Sequence, residues 1–275
     1  MISKKGISYL TTLALIIMGI ISFFPIYMAI VNSFKSQGEI FTSALAVPTA
    51  LNFDNYVTAS GRIDLAGSAI NTLIVTAIGL VGIVICGSLA GYKLARTASK
   101  LSKIIFAFFM ASMLVPFHAI MITLTRITNT LSLQNSLIGL GFIYIGLGVN
   151  MAIFLYHGFV KTIPLELEEA ARIDGCSEIQ IFIKIIFPLL KPITATVLIL
   201  NVLWLWNDFL LPMLILTDVQ SHTLMLSINA LFGEFNTEWP LVLAALILTS
   251  IPVVLFYIVF QKHILKGIAE GALKS

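Results

Sequence analysis

The feature that most limits what this chain can fold into is the recurrence of long apolar runs. Six stand near residues 10–31, 69–92, 104–124, 137–159, 193–211 and 241–260. Each is close to the ~20 residues with which a helix crosses a hydrocarbon core. Hydrophobic residues make up 59% of the 275 and charged ones 11%, so there is too little polar surface to cover a water-soluble globule of this content. The mean hydropathy of +1.02 agrees. A spanning segment must satisfy its own backbone donors and acceptors, which selects helices. The expected fold is an all-α membrane protein with six transmembrane helices, forming a single domain over residues 1–275.

The first run follows Lys4 and Lys5, a basic start like that of a signal peptide. Its apolar stretch is too long for one, and no small-residue cleavage site follows, so a retained span is expected. Orientation follows from the basic residues. With both termini cytoplasmic, the inner segments hold Lys4, Lys5, Lys93, Arg96, Lys100, Lys103, Lys161, Arg172, Lys184, Lys191, Lys262, Lys266 and Lys274. Only Lys35, Arg62 and Arg126 of the 16 fall outside. Basic loops stay on the cytoplasmic side, so this bias sets the topology and explains the net charge of +3 without a nucleic-acid partner. Cys86 in the second run and Cys176 in an inner loop share no compartment, and both are expected to be free thiols.

Two outer connections, at 32–68 and about 217–240, are rich in Asp, Glu, Ser, Thr and Asn. They are docking surfaces for an external partner or plain solvated connectors. Prolines lie inside or beside the runs at Pro25, Pro116, Pro188, Pro192, Pro212 and Pro252, where each removes a backbone donor and tends to kink or end a helix. The segment "GSLAG" at 87–91 has small residues four apart, a spacing that lets helix backbones approach closely. Phosphate-binding, nucleophile-elbow and zinc-peptidase motifs are all missing, and His118, His157, His222 and His263 are scattered without metal-ligand spacing. Catalysis by the chain itself is not expected, nor is a metal or cofactor of its own.

Between the fourth and fifth runs lies "EAARIDGCSEIQIFIKIIFPLLKP", residues 169–192, with three acidic and three basic residues. It reads as two short helices joined at a glycine. Pro164 opens the first, with Glu166, Glu168 and Glu169 near its positive end. Gly175 after Asp174 suits the left-handed residue that ends a helix, and Ser177 with Gln180 has capping-box spacing for a second. In that second helix Ile179, Phe182, Ile183 and Ile186 form an apolar stripe closed by Pro188. On pattern alone the pair could lie on the membrane, fold back on the spans, or offer its turn to another protein. The fifth run places Asn201, Trp204 or Leu205, and Asp208 on one helical face. Polar groups in hydrocarbon usually face a bundle interior or a watery cavity, and tryptophan presents a flat surface to a sugar ring, so this face is a candidate substrate path. Holding neighbouring helices together is the other role open to Asn201 and Asp208.

The run "EAARIDG", followed after nine residues by Ile185, Phe187 and Pro188, resembles the EAA signature of bacterial ABC-importer permeases, with Phe187 where leucine is usual. "GYKLAR" at 91–96, "WNDFLLP" at 206–212 and "QKHILKGIAEGALK" at 261–274 resemble the carbohydrate-uptake branch. The resemblance implies the type I importer permease fold. It makes 160–192 a cytoplasmic coupling segment seated in an ATPase cleft, with Glu169, Ala170, Ala171, Asp174, Gly175, Ile185 and Pro188 at the contact. It also implies a second, related permease, two ATP-binding subunits that hold ATP and Mg, and an extracytoplasmic solute-binding protein. Alternating access moving a sugar, an oligosaccharide by branch, is the expected activity. A secondary transporter is the rival, and it needs paired ionisable groups at mid-membrane, where only Asp208 offers itself. A membrane-embedded enzyme is a third class, without a catalytic constellation to support it.

Overall fold

The computed structural model describes residues 4–233 and 237–272, with side chains for 11–233 and 237–260. The described residues fold as helices α1 (Lys4–Ser33), α2 (Gln37–Ser43), α3 (Asp54–Arg62), α4 (Leu65–Arg96), α5 (Lys100–Ser112), α6 (Phe117–Thr130), α7 (Leu137–Val160) and α8 (Glu166–Ile173). There follow α9 (Glu178–Leu189), α10 (Lys191–Asn207), α11 (Leu210–Ile215), α12 (Leu224–Ile228) and α13 (Trp239–Ala272). Four helical stretches are long and apolar enough to cross a membrane by themselves: Thr11–Ser33, Leu65–Arg96, Leu137–Val160 and Trp239–Phe260. The number reaches six if the bent pairs α5 with α6 and α9 with α10 each count as one span.

The chain divides into two compact units. One takes the described residues up to Leu65 together with Ser227–Ile251, and the other takes Ala66–Leu226 and the chain from Pro252. In the first unit, α1 leaves most of its described side chains, from Thr11 to Pro25, exposed, with Leu15, Met18, Ile20, Ile21 and Phe23 all open. Burial begins only where the helix ends, at Val31, Asn32 and Ser33. Beyond it Lys35 is 1% exposed, and its ammonium donates to Asn32 Oδ1 at 3.0 Å and to the carbonyls of Ser43 at 2.9 Å and Ala44 at 3.2 Å. Those carbonyls lie at the end of α2, where unsatisfied acceptors favour a cation. Asn55 Nδ2 donates to the carbonyls of Ser33 and Lys35, so one buried amide ties α3 to the exit of α1. A capping box of Ser36 and Glu39 starts α2.

In the second unit α4 and α7 are proline-free and pack closely. A β-carbon at Gly87 would come 2.6 Å from Ala152 Cβ, and one at Gly91 would come 2.7 Å from Tyr156 Cβ and 3.0 Å from the backbone nitrogen of His157. The two glycines four apart therefore form the seam that their spacing suggests. Deeper contacts gather around buried Ile83, Tyr156, Ile186 and Leu190 toward one end of the unit, and around Val75, Tyr144, Leu205 and Ile215 toward the other.

Two of the expected spans are not continuous helices. The run at 104–124 breaks at residues 113–116, and α5 and α6 meet at 102°. Pro116 has extended backbone there (φ −63°, ψ 138°), since its ring fixes φ and it cannot donate to a preceding turn. The run at 193–211 starts from a 73° bend between α9 and α10, and its helix stops at Asn207. Asp208, expected on the helical face, is extended at ψ 130°.

Candidate functional site

The polar segment between α7 and α10 builds the turn expected of it. Helix α8 carries Glu166, Glu168 and Glu169 in its first turn and ends at Asp174. Gly175 follows at φ 80°. Its N–H donates to the carbonyl of Arg172 at 3.1 Å, and the N–H of Cys176 donates to the carbonyl of Ala171 at 3.0 Å. These two bonds make a Schellman ending, which a glycine at the left-handed position closes at no steric cost. Ser177 starts α9 at once: its Oγ accepts from the Gln180 N–H, and Gln180 Oε1 accepts from the Ser177 N–H at 2.8 Å. Across the turn Arg172 Nε meets Glu178 Oε1 at 2.8 Å, and this bond raises the guanidinium's affinity for its proton.

Of the residues expected at a partner contact, Glu169, Ala170, Asp174, Gly175 and Pro188 are exposed, Ile185 is half-buried and Ala171 is buried. The expected apolar stripe is corrected. Ile181, Phe182 and Ile186 are buried, whereas Ile179 is 71% and Ile183 58% exposed. Ile179 lies in the regular turn before Phe182 on the open side, and for Ile183 the reason is a π-helical turn over Phe182–Ile186. There the Phe187 N–H reaches back five residues to the carbonyl of Phe182, so the buried face no longer repeats every 3.6 residues. Pro188 does not close the helix, which runs on to Leu189. The widened turn accommodates a proline whose ring would otherwise press on the carbonyl four residues earlier.

The sequence reading passed over Glu168 as a contact residue, yet its side chain is wholly buried. Glu168 Oε1 accepts from Arg96 Nε at 2.6 Å, and Oε2 accepts from the Tyr92 hydroxyl at 2.7 Å. The same guanidinium donates from Nη2 to the carbonyl of Ile163 at 2.8 Å. Arg172, one turn on, adds a longer contact of 3.7 Å. The signal lay in "GYKLAR", where Tyr92 and Arg96 stand four apart and so share one face at the end of α4. A buried carboxylate is costly unless paired and hydrogen-bonded, and both conditions hold.

The fifth run builds a second feature, a cavity of about 520 Å³ lined by Trp204 and Asp208 together with Ser112, Met113, Phe117 and Asn150 among others. Both helix breaks reach it, the first through Met113 and Val115 and the second through Asp208. Non-helical backbone at membrane depth is tolerated where it lines such a space. Asp208 Oδ2 accepts from the Tyr144 hydroxyl at 2.8 Å, and Oδ1 accepts from the Leu210 N–H at 3.1 Å. Trp204 meets the Tyr144 ring edge to face with centroids 5.5 Å apart. Asn201 is not in this lining. It is 4% exposed, and its Nδ2 donates to the carbonyl of Val197 within its own helix at 2.8 Å. The structure thus brings Trp204 and Asp208 together and leaves Asn201 in the packing.

A comparison with known families matches residues 83–270 to the binding-protein-dependent transport system inner membrane component. The chain belongs to that family. The matched residues include "EAARIDG" and most of the C-terminal motif at 261–274, whose side chains lie outside those described. Among its curated relatives, the probable starch degradation products transport system permease protein AmyC of Thermoanaerobacterium thermosulfurigenes is 40% identical, over 97% of both chains. The melibiose/raffinose/stachyose import permease protein MelC of Bacillus subtilis is 36% identical over 98% of both. The fold is also that of a solved chain from a bacterial ABC transporter involved in the import of the acidic polysaccharide alginate. The TM-score is 0.82 at 21% identity, covering 95% of this chain and 98% of the other.

Proposed function

We propose that the chain is a permease subunit of an ATP-driven importer that moves a sugar, most suitably an oligosaccharide, through the cytoplasmic membrane by alternating access. The carrying observation is the exposed turn at Gly175. A Schellman ending and a capping box hold two short helices rigidly at an angle, and Glu169, Ala170 and Asp174 face outward from the first of them. Relatives named as sugar import permeases along nearly the whole chain support the substrate class.

In this reading the two bent pairs are each one span, giving six, and both termini are cytoplasmic. Residues 1–275 work as one permease domain. The segment 160–192 seats in a cleft of a separate ATPase through Glu169, Ala170, Ala171, Asp174, Gly175, Ile185 and Pro188. That ATPase chain, present twice, binds ATP and Mg and performs the hydrolysis. A second, related permease completes the pore, and an extracytoplasmic solute-binding protein delivers the ligand. The sugar passes the cavity at Trp204 and Asp208, where an indole face offers apolar area and a carboxylate with spare acceptor capacity meets hydroxyl donors. Asn201 supports that wall from behind.

The test is to purify the complex through this chain, identify the co-purifying subunits and reconstitute them with the binding protein in proteoliposomes. Uptake of raffinose or a starch oligosaccharide should require both ATP and the ATPase chain. Uptake driven by an ion gradient without any ATPase would replace this reading with secondary transport.

A further inference from the structure

Helix α4 is hydrogen-bonded both to the polar segment after α7 and to the connection around residue 220. At one end, Tyr92 and Arg96 hold the buried carboxylate of Glu168 on α8. At the other, Asn71 Nδ2 donates to the carbonyls of Gln220 at 2.8 Å and His222 at 3.0 Å. The neighbouring Thr72 Oγ1 accepts from the Leu224 N–H at 2.9 Å and itself donates to the carbonyl of Ser68. From Thr72 to Tyr92 the helix advances about 30 Å at 1.5 Å per residue, the thickness of a hydrocarbon core. Its 32 residues contain no proline. It is also braced along α7 by the seam at Gly87 and Gly91.

An unkinked helix with a braced side transmits displacement along its axis instead of absorbing it, because packed interiors are scarcely compressible. Two other routes through the unit are interrupted, by the 102° break at 113–116 and by the bend and break of α10, while α7 runs unbroken beside α4 and stiffens it. We propose that α4 is a strut that links the occupancy of the outer connection at 217–224 to the position of the ATPase-facing turn. Asn71 and Thr72 tie it at one end, and Tyr92 and Arg96 tie it at the other. The inference rests on the importer reading and adds to it the path by which the two external partners sense each other. Coupling of this kind is reciprocal: whatever the outer partner does to the turn, ATPase engagement does to the outer connection.

Glu168 is then a positioning residue. Its carboxylate is turned inward to α4, while Glu169 beside it is exposed. Thr72 has the corresponding part at the opposite end, since its hydroxyl fixes where α12 begins.

The experiment uses the whole complex in proteoliposomes and compares ATP hydrolysis with and without the solute-binding protein, in the presence of raffinose or a starch oligosaccharide. Glu168→Gln and Tyr92→Phe loosen one end, and Asn71→Ala and Thr72→Val loosen the other. Basal hydrolysis should persist in all four, while stimulation by the binding protein falls on the order of tenfold for Glu168→Gln, where a charge-assisted bond is lost. The double variant Asn71→Ala with Glu168→Gln should lose no more than the worse single, because one open joint already interrupts a series path. A purely structural role predicts lower complex yield with the stimulation ratio unchanged, and that result overturns the proposal. So do losses that multiply in the double variant. If Glu168→Gln fails to assemble, Tyr92→Phe decides the inner end, and full stimulation there rejects the strut. A wild-type complex that moves neither sugar with ATP overturns the importer reading itself, and this inference with it.

Discussion

Helices α4 and α7 differ from the bent pairs α5 with α6 and α9 with α10 in one respect that controls the rest. The first two carry glycines where the broken ones carry prolines. At Gly87 and Gly91 the missing β-carbons let two axes close up, so the pair is straight and mutually braced. At Pro116 and Pro188 a missing backbone donor opens the helix, and the chain turns or widens into a π-helical turn. Two ways of removing an atom group thus give opposite mechanics, a rigid seam and a set of joints. The cavity with Trp204 and Asp208 lies against the joints.

The sharpest way to break the comparison is to put side chains into the seam. Gly91→Leu forces a β-carbon toward the backbone of α7, and overpacking of this kind costs about 3 kcal/mol or more when the neighbour is main chain. The expected outcome is loss of folded subunit from the membrane fraction, measured by level and thermal unfolding in detergent. Gly175→Leu should be milder and different in kind. Open space surrounds Gly175, so the cost is the left-handed backbone, about 1–2 kcal/mol. The subunit should insert normally while transport per ATP hydrolysed drops. Normal coupling with full ATPase retention would refute the role given to the turn.

A third substitution addresses the joints. Asp208→Ala removes the acceptor of the Tyr144 hydroxyl, and an orphaned buried donor costs about 1–3 kcal/mol. Half-saturation for transported sugar should shift severalfold, with little change in subunit level. Asn201→Ala should lower stability more than it alters that affinity, because its amide bonds within its own helix. Equal effects of both on affinity would erase the distinction drawn between cavity wall and packing.

The smallest effect concerns protons. Burial lowers the affinity of His222 for a proton, against a smaller opposing pull from Asp218. A folded-state value below the unfolded one, near 6.5, means that the stabilisation is complete above that pH and is lost as pH falls through the lower folded value. The protection factors for hydrogen exchange at residues 219–224, taken relative to the intrinsic rate at each pH, should therefore fall as pH drops below about 6.5, and His222→Gln should flatten the profile.

Legibility followed the same division. The straight pair could be read from apolar length and small-residue spacing, and the turn from capping grammar, because both are local and periodic. The breaks could not. Pro116 and Pro188 were visible as helix disturbers, but only packing decides whether a proline yields a 102° bend or a widened turn. The register shift that exposes Ile183 followed from that choice. Glu168 was hidden for another reason: its partners are 72 and 76 residues away, and nothing in a run of three nearby glutamates marks the one that turns inward.

Lys35 gives the segment between α1 and α3 a property of a different sort. Its ammonium sits among one amide and two main-chain carbonyls, all neutral. A metal ion does the same in a calcium-binding loop, gathering oxygens from separated residues to one point and so fixing the loop's shape. Here the ion is tethered to the chain by four carbons. It cannot be chelated or diluted away, and a buried contact is screened far less by salt than an exposed ion pair. The segment between α1 and α3 therefore has the organisation of an ion-templated loop without depending on ion supply.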